Sequence, residues 1–205
     1  MTIKETSSGL RARKRAALEK KLVNAAIDLY LERGYRETRI DDIARAADVS
    51  RRTFFHYFAA KEDVMSEWFA HQGEFLREAF LARPADEPVW DALRESFRVL
   101  FVTYGVNEQR AQDLRRLIYT EPALFSKKYD FYLRAAEALI PAVQRRLGRS
   151  AANRFTASVL VRAALAAHDA AAETWALAGG RGKRYTQMVK AFALARPAIV
   201  DELSS

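Results

Sequence analysis

Ser50-Arg51-Arg52-Thr53, followed by His56 and Tyr57, is the group of residues in this chain best suited to chemistry. That chemistry is recognition: two guanidiniums, two hydroxyls, an imidazole and a phenol within two helical turns offer many donors to phosphate oxygens and base edges. Catalysis fits poorly. The chain has no cysteine, which excludes disulfides, thiolate nucleophiles and cysteine-held zinc. It has no Gly-x-Ser-x-Gly, and Gly180-Arg181-Gly182-Lys183 lacks the first glycine of a phosphate loop because Leu177 stands there. His168 and Glu173 tempt a metal reading, but partners on one helix face lie three or four residues apart, and these two do not. We expect no cofactor, no metal and no enzymatic activity.

The elements around that group explain how it is positioned. Ser50 caps a helix by offering its side-chain oxygen to free backbone N–H groups. Phe54 and Phe58 give the helix one apolar side. Just upstream, Ile40, Ile43, Ala44 and Ala47 form a second short stripe. Thr38 opens that helix, with Asp41 in capping-box spacing. Two short helices joined by a tight turn, the second basic and polar at its start, describe a helix-turn-helix whose second helix enters the DNA major groove. A longer first helix opens on Arg11, Arg13, Lys14 and Arg15 after a flexible arm, and runs to Arg33. Leu18, Leu22, Ala25, Ala26 and Leu29 make its buried stripe, and Gly34 ends it. Its basic start suits phosphates or a minor groove, and suits a plain solvated surface equally well.

Several motifs in this stretch sit at fixed offsets: Gly34-Tyr35, Asp42-Ile43-Ala44, Val49-Ser50, Thr53-Phe54, Tyr57-Phe58 and Lys61-Glu62-Asp63. Together they closely resemble the N-terminal domain of the TetR family of transcriptional regulators. The resemblance implies that Arg51 and Arg52 face base edges, where an arginine reads guanine O6 and N7 with two hydrogen bonds. It also implies that Thr53, Tyr57 and Lys61 contact phosphate, which sets register without reading sequence. Thr38, Arg39, Ser50 and His56 complete the expected DNA-binding set. Asp48 stands in place of the usual turn glycine, Phe55 in place of a common tyrosine, and Ala60 in place of a Ser or Asn cap.

The chain as a whole is consistent with that reading. Its 205 residues are 50% hydrophobic and 29% charged, the composition of a globular protein. Of the net charge of +8, residues 1–60 hold 13 Lys/Arg against 8 Asp/Glu, a basic end suited to phosphate. Met1–Gly9 lacks a signal peptide's apolar core, and the stretch 163–178 is interrupted by His168, Asp169 and Glu173. A cytoplasmic protein is expected, bacterial by the resemblance. No strand-like alternation occurs, so the expectation is an all-α fold of about nine helices. Three form a DNA-binding domain over residues 10–60 and six a second domain over 61–205, with one helix at 88–104 and a kink at Pro141.

The resemblance further implies a ligand pocket and a dimer surface in the second domain. The pocket candidates are Trp68, Phe97, Phe101, Arg115, Tyr119, Tyr129, Tyr132 and Trp175. The dimer candidates are Ala163, Ala167, Ala170, Ala171, Met188 and Phe192, with alanine-rich packing inside one chain as the competing explanation. Arg115-Arg116-Leu117-Ile118 and Glu121-Pro122-Ala123-Leu124 resemble the mycofactocin-system regulator subgroup, which implies a small apolar, fatty-acyl or acyl-CoA effector. The expected protein is a homodimer on a palindromic operator, a repressor released by its effector. An activator or a less specific DNA binder on the same fold is the alternative.

Overall fold

The computed structural model describes residues 7–102, 108–178 and 184–196, without the side chains of residues 7, 8, 101, 102 and 108. Every regular element among them is a helix, as expected. Contacts divide the chain into two compact units, 1–68 and 69–205. The division falls inside a helix, α4 (Asp63–Leu81), rather than before it at 60/61.

The first unit contains α1 (Ser7–Arg33), α2 (Ile40–Ala46), α3 (Arg51–Tyr57) and the start of α4. Leu22, Val23, Ala26, Ile27, Leu29 and Tyr30 recur at helical spacing and form the buried stripe of α1. Gly34 ends the helix at φ 88°, its amide donating to the Tyr30 carbonyl at 3.0 Å. Thr38 does not open α2. Its side chain is buried, and its hydroxyl donates to the Gly34 carbonyl at 2.8 Å, closing the turn from the C-terminus of α1. Arg39 caps α2 instead, and the Asp42 carboxylate accepts the Arg39 amide at 3.3 Å. Asp48 takes the left-handed conformation at φ 56°, so aspartate does here what a turn glycine would do.

The second unit continues α4 and adds α5 (Val89–Ser96), α6 (Val99–Val102), α7 (Glu108–Thr120), α8 (Pro122–Leu147), α9 (Ala151–Leu177) and α10 (Arg184–Leu194). Among the described residues, each of the nine expected helical stretches contains helix, with that at 88–104 divided into α5 and α6 and its residues 103 and 104 outside the described residues. Ser96 is buried near the break and donates to the Ala92 carbonyl at 2.6 Å. Beyond the break, Arg98 and Leu100 donate to carbonyls three residues back instead of four. Pro122 starts α8, Gly148 ends it at φ 103°, and the helix runs continuously through Pro141.

α9 is the hub of this unit, packing against α5, α7, α8 and α10. Its inward face is rich in alanine (Ala157, Ala164, Ala167, Ala171, Ala172, Ala176), which lets several helices approach one axis. Trp90, Phe97 and Phe192 interlock beside it, with Phe192 5.4 Å from each of the other two rings. The Trp90 indole donates to the Phe192 carbonyl at 3.2 Å. Met188 and Phe192 are therefore core residues of their own chain and leave the dimer-facing set, as do Ala167 and Ala171. Ala163 is half-buried, and Ala170 alone of the expected six points fully outward. Among the described residues, no helix is long and apolar enough to cross a membrane.

Candidate functional sites

In the first unit, the cap of α3 forms as its sequence suggests. The Ser50 hydroxyl accepts the Thr53 amide at 3.0 Å and lies 2.8 Å from the Thr53 hydroxyl. Phe54 and Phe58 are buried and fix the rotation of this short helix. Arg51, Arg52, Phe55 and His56 are thereby turned to solvent, with Thr53 and Tyr57 at the margin.

The two arginines, equivalent in sequence, differ in structure. Arg51 pairs with Asp41 of α2 at 3.0 Å, and its guanidinium lies 5.5 Å from the Phe55 ring. Arg52 meets no ion-pair or hydrogen-bond partner among the described residues. Because both ends of the Arg51–Asp41 pair are exposed, it is worth at most about 1 kcal/mol, little enough for a phosphate or base to displace. Arg15 of α1 lies 5.8 Å from the Tyr57 ring, so the basic start of α1 borders this surface. Arg39 is exposed at the cap of α2.

Two expected contacts drop out. Thr38 is buried, its hydroxyl spent on Gly34. Lys61 is turned inward: its ammonium donates to the carbonyls of Tyr35 at 2.6 Å and Thr38 at 2.9 Å and lies 4.1 Å from the Tyr35 ring. Around it, the Tyr30 hydroxyl donates to the Lys61 carbonyl at 2.6 Å and the Tyr35 hydroxyl to Glu62 at 2.9 Å. Burial first, then the charges of Tyr35, Glu62 and Asp63, push the Tyr30 phenol far above its ordinary range, so it remains a donor. The cap lost at Ala60 is partly replaced, because the Asp63 carboxylate accepts the Ala60 amide at 2.8 Å.

In the second unit, α4, α7, α8 and α9 enclose a chamber. Arg115, Tyr119 and Tyr132 line it as expected, joined by Phe69, Gln72, Ile118, Lys128, Phe131, His168 and Asp169. Its free cavity is about 20 Å³, room for roughly one water. At the rim, the Lys128 ammonium contacts both Asp169 oxygens, at 2.8 and 2.9 Å, and the Tyr119 hydroxyl donates to the same carboxylate. The ammonium also faces the rings of Phe125 at 4.5 Å and Tyr119 at 4.7 Å. Deeper inside are Arg115, 9% exposed, Gln72, 6%, and His168, 4%, the imidazole packing on Phe97 at 4.9 Å. Burial, reinforced by the positive charges of Arg115, Arg184 and Lys128, pushes His168 well below the ordinary histidine range and keeps it neutral. Burial and Asp169 together raise Tyr119 and Tyr132, so both phenols remain protonated.

The remaining pocket candidates lie elsewhere. Phe97 and Trp175 are core, their large rings consumed by packing around α9. Tyr129 is 65% exposed, one helical turn from Phe125 on the outside of α8. Trp68 belongs to the first unit, and the Phe101 side chain lies outside the described residues. Lys128, His168 and Asp169 were missed as chamber residues because no spacing within one helix joins them. A weak signal did exist. Arg115/Tyr119 and Lys128/Tyr132 are each four apart, so each pair puts a cation and a phenol on one helix face.

A helix-turn-helix unit followed by a helical unit with its own closed chamber defines a two-part class of helical regulator folds. The chain belongs to the TetR family of bacterial regulatory proteins: the family model of that name matches residues 22–67, and the MftR C-terminal domain model matches residues 87–196. Relatives include the HTH-type transcriptional regulator TcmR of Streptomyces glaucescens, 32% identical over 137 residues, covering 64% of this chain and 59% of that protein. The putative mycofactocin biosynthesis transcriptional regulator MftR of Mycobacterium tuberculosis is 30% identical over 139 residues, covering 66% and 69%. Among solved structures, the Thermus thermophilus repressor FadR in complex with lauroyl-CoA superposes with a TM-score of 0.57 at 27% identity, covering 86% of this chain and 92% of that one.

Proposed function

We propose that this protein is a homodimeric, ligand-responsive transcriptional repressor that reads a palindromic operator with α3. The observation that carries the reading is the capped α3, which holds Arg52 unengaged and Arg51 in a weak exposed pair beside His56 and Tyr57. Arg52 reads a base edge, and Arg51 exchanges Asp41 for DNA. Thr53, Tyr57, Arg39 and the basic start of α1 track phosphates. Two copies of α3 engage half-sites about 34–36 Å apart, or a multiple of that.

A small apolar or acyl-type effector enters the second unit and moves α4, which runs on from the helix-turn-helix. The lauroyl-CoA bound to the T. thermophilus relative supports an effector of acyl character. Effector and operator then oppose one another through a coupling of about 1–3 kcal/mol.

The test is sequencing of genomic fragments captured by the purified protein at about 150 mM salt, beside Arg52→Ala and Arg51→Ala. A short palindrome is expected, with Arg52→Ala relaxing one base position per half-site at a cost of about 1–3 kcal/mol. Diffuse capture that fades with salt, indifferent to both arginines, would replace the repressor with a non-specific DNA binder. Reporter expression after gene deletion then separates repressor from activator, because loss of a repressor raises transcription.

A further inference from the structure

In the chamber of the second unit, an ammonium and a phenol converge on a carboxylate of the chain itself, Asp169. Asp169 receives both Lys128 contacts and the Tyr119 hydroxyl, and the Tyr132 phenol is turned toward the same charge. Three helices contribute to this grip: Tyr119 from α7, Lys128 and Tyr132 from α8, and Asp169 from α9. While Asp169 is held, the free volume of about 20 Å³ admits nothing larger than water. Any effector that enters must therefore displace part of this cluster.

The charges of the lining decide what enters. Arg115 and Lys128 are cationic, Asp169 is the lining's one carboxylate, and His168 is held neutral. Glu173, one turn beyond Asp169, is exposed, and its charge reaches Tyr119 from outside the lining. The lining residues themselves thus place two cations against one carboxylate in a water-poor space, Arg115 more deeply buried than Lys128. An entering ammonium would meet that field unfavourably. A neutral amide would gain no charge-assisted bond. An anion would be stabilised by the charge of Arg115 and would inherit the donors of Lys128 and Tyr119. Phe69, Ile118 and Phe131 complete the walls and suit an apolar body.

We propose that the effector is a monocarboxylate with an apolar body, whose carboxylate takes Asp169's place on Lys128 and Tyr119 while Arg115 supplies the counter-charge. This rests on the reading of the second unit as an effector domain. Asp169 acts as an internal competitor that keeps the chamber shut. When it is released, α7, α8 and α9 part at the rim, and the chamber opens between them.

The experiment titrates the full-length protein with octanoate, octanamide, octyltrimethylammonium and octanoyl-CoA, by calorimetry and, in parallel, by release of captured operator DNA. Octanoate is expected to bind about ten-fold or more tighter than octanamide, the worth of one charge-assisted bond. Arg115→Gln brings the two within about two-fold of each other, while Asp169→Asn tightens octanoate by about ten-fold because the competitor is neutral. A merely structural role for Asp169 would instead weaken binding in Asp169→Asn. Arg115→Met, which keeps the side chain's length, gives a second test of the arginine should Arg115→Gln unfold. Equal affinity for acid and amide, preference for the ammonium, or tightening by the CoA thioester alone would each overturn the proposal. Operator release by octanoyl-CoA alone would leave the repressor reading standing. Failure of all four ligands to bind or to release DNA would count against both.

Discussion

Lys61 shows how much a single residue's role depends on where its ammonium points. By sequence it matches a phosphate-contacting position, but the ammonium is spent on the carbonyls of Tyr35 and Thr38 and on the Tyr35 ring. Replacing it leaves carbonyls without a donor, and an unmet buried acceptor costs about 1–3 kcal/mol. Lys61→Met is therefore expected to lower stability by about that amount in urea denaturation. The slope of log affinity against log salt for DNA should stay unchanged. A slope smaller by about one with unaltered stability would return Lys61 to the phosphate contacts. What was legible at this scale followed from local rules. Ser50 capped α3, Gly34 ended α1, and Asp48 took the left-handed turn because each depends on neighbours within four residues. Lys61 escapes those rules because its partners Tyr35 and Thr38 lie 26 and 23 residues back, whereas the inward turn of Thr38 onto Gly34 follows from the packing of the turn after α1. Arg51 and Arg52, adjacent in sequence, could be told apart only once α2 placed Asp41 beside one of them.

At the scale of elements, helix extents were legible and helix contacts were not. Pro122 and Gly148 bound α8, whereas the break between α5 and α6 carries no glycine or proline to mark it. α4 approaches the α8 backbone tightly at Gly73, where a β-carbon would stand 3.3 Å from the Ala135 amide nitrogen. Two opposing terms act on a substitution there. Alanine favours an exposed helix over glycine by about 1 kcal/mol, while a contact this tight requires the α8 backbone to give by a few tenths of an ångström. The terms nearly cancel, so Gly73→Ala should change stability by less than about 1 kcal/mol. Gly73→Leu must push the helices apart and should cost about 1–3 kcal/mol in urea denaturation. If leucine were tolerated as well as alanine, the α4–α8 crossing would not be a fixed contact, and its glycine would be incidental.

For the whole molecule, Ala167 and Ala171 serve α9's role as hub, while Ala170 lies on the opposite face of the same helix. Phe155, Val159, Arg162, Ala166, Ala170, Glu173 and Leu177 are all exposed. At about 100° per residue they fall within a sector of roughly 80°. Phe155 is 73% exposed and Leu177 56%, an unusual amount of apolar surface for one stripe. The order of residues suits a second copy related by a two-fold axis. When that axis crosses α9 near His168, two antiparallel copies bring Arg162 opposite Glu173, Val159 opposite Leu177, and Ala166 opposite Ala170. Small residues then lie at the centre, where the helices approach most closely, with ion pairs and larger apolar groups to either side. Arg162→Glu alone, or Glu173→Arg alone, places like charges opposite one another twice per dimer and should shift the protein to monomer in sedimentation equilibrium. The double variant Arg162→Glu, Glu173→Arg restores opposite charges in both places and should recover the dimer, together with operator affinity. Neither single change touches the core, so folding should survive in both. A dimer unaffected by either single swap would mean that another face of the second unit joins the two copies.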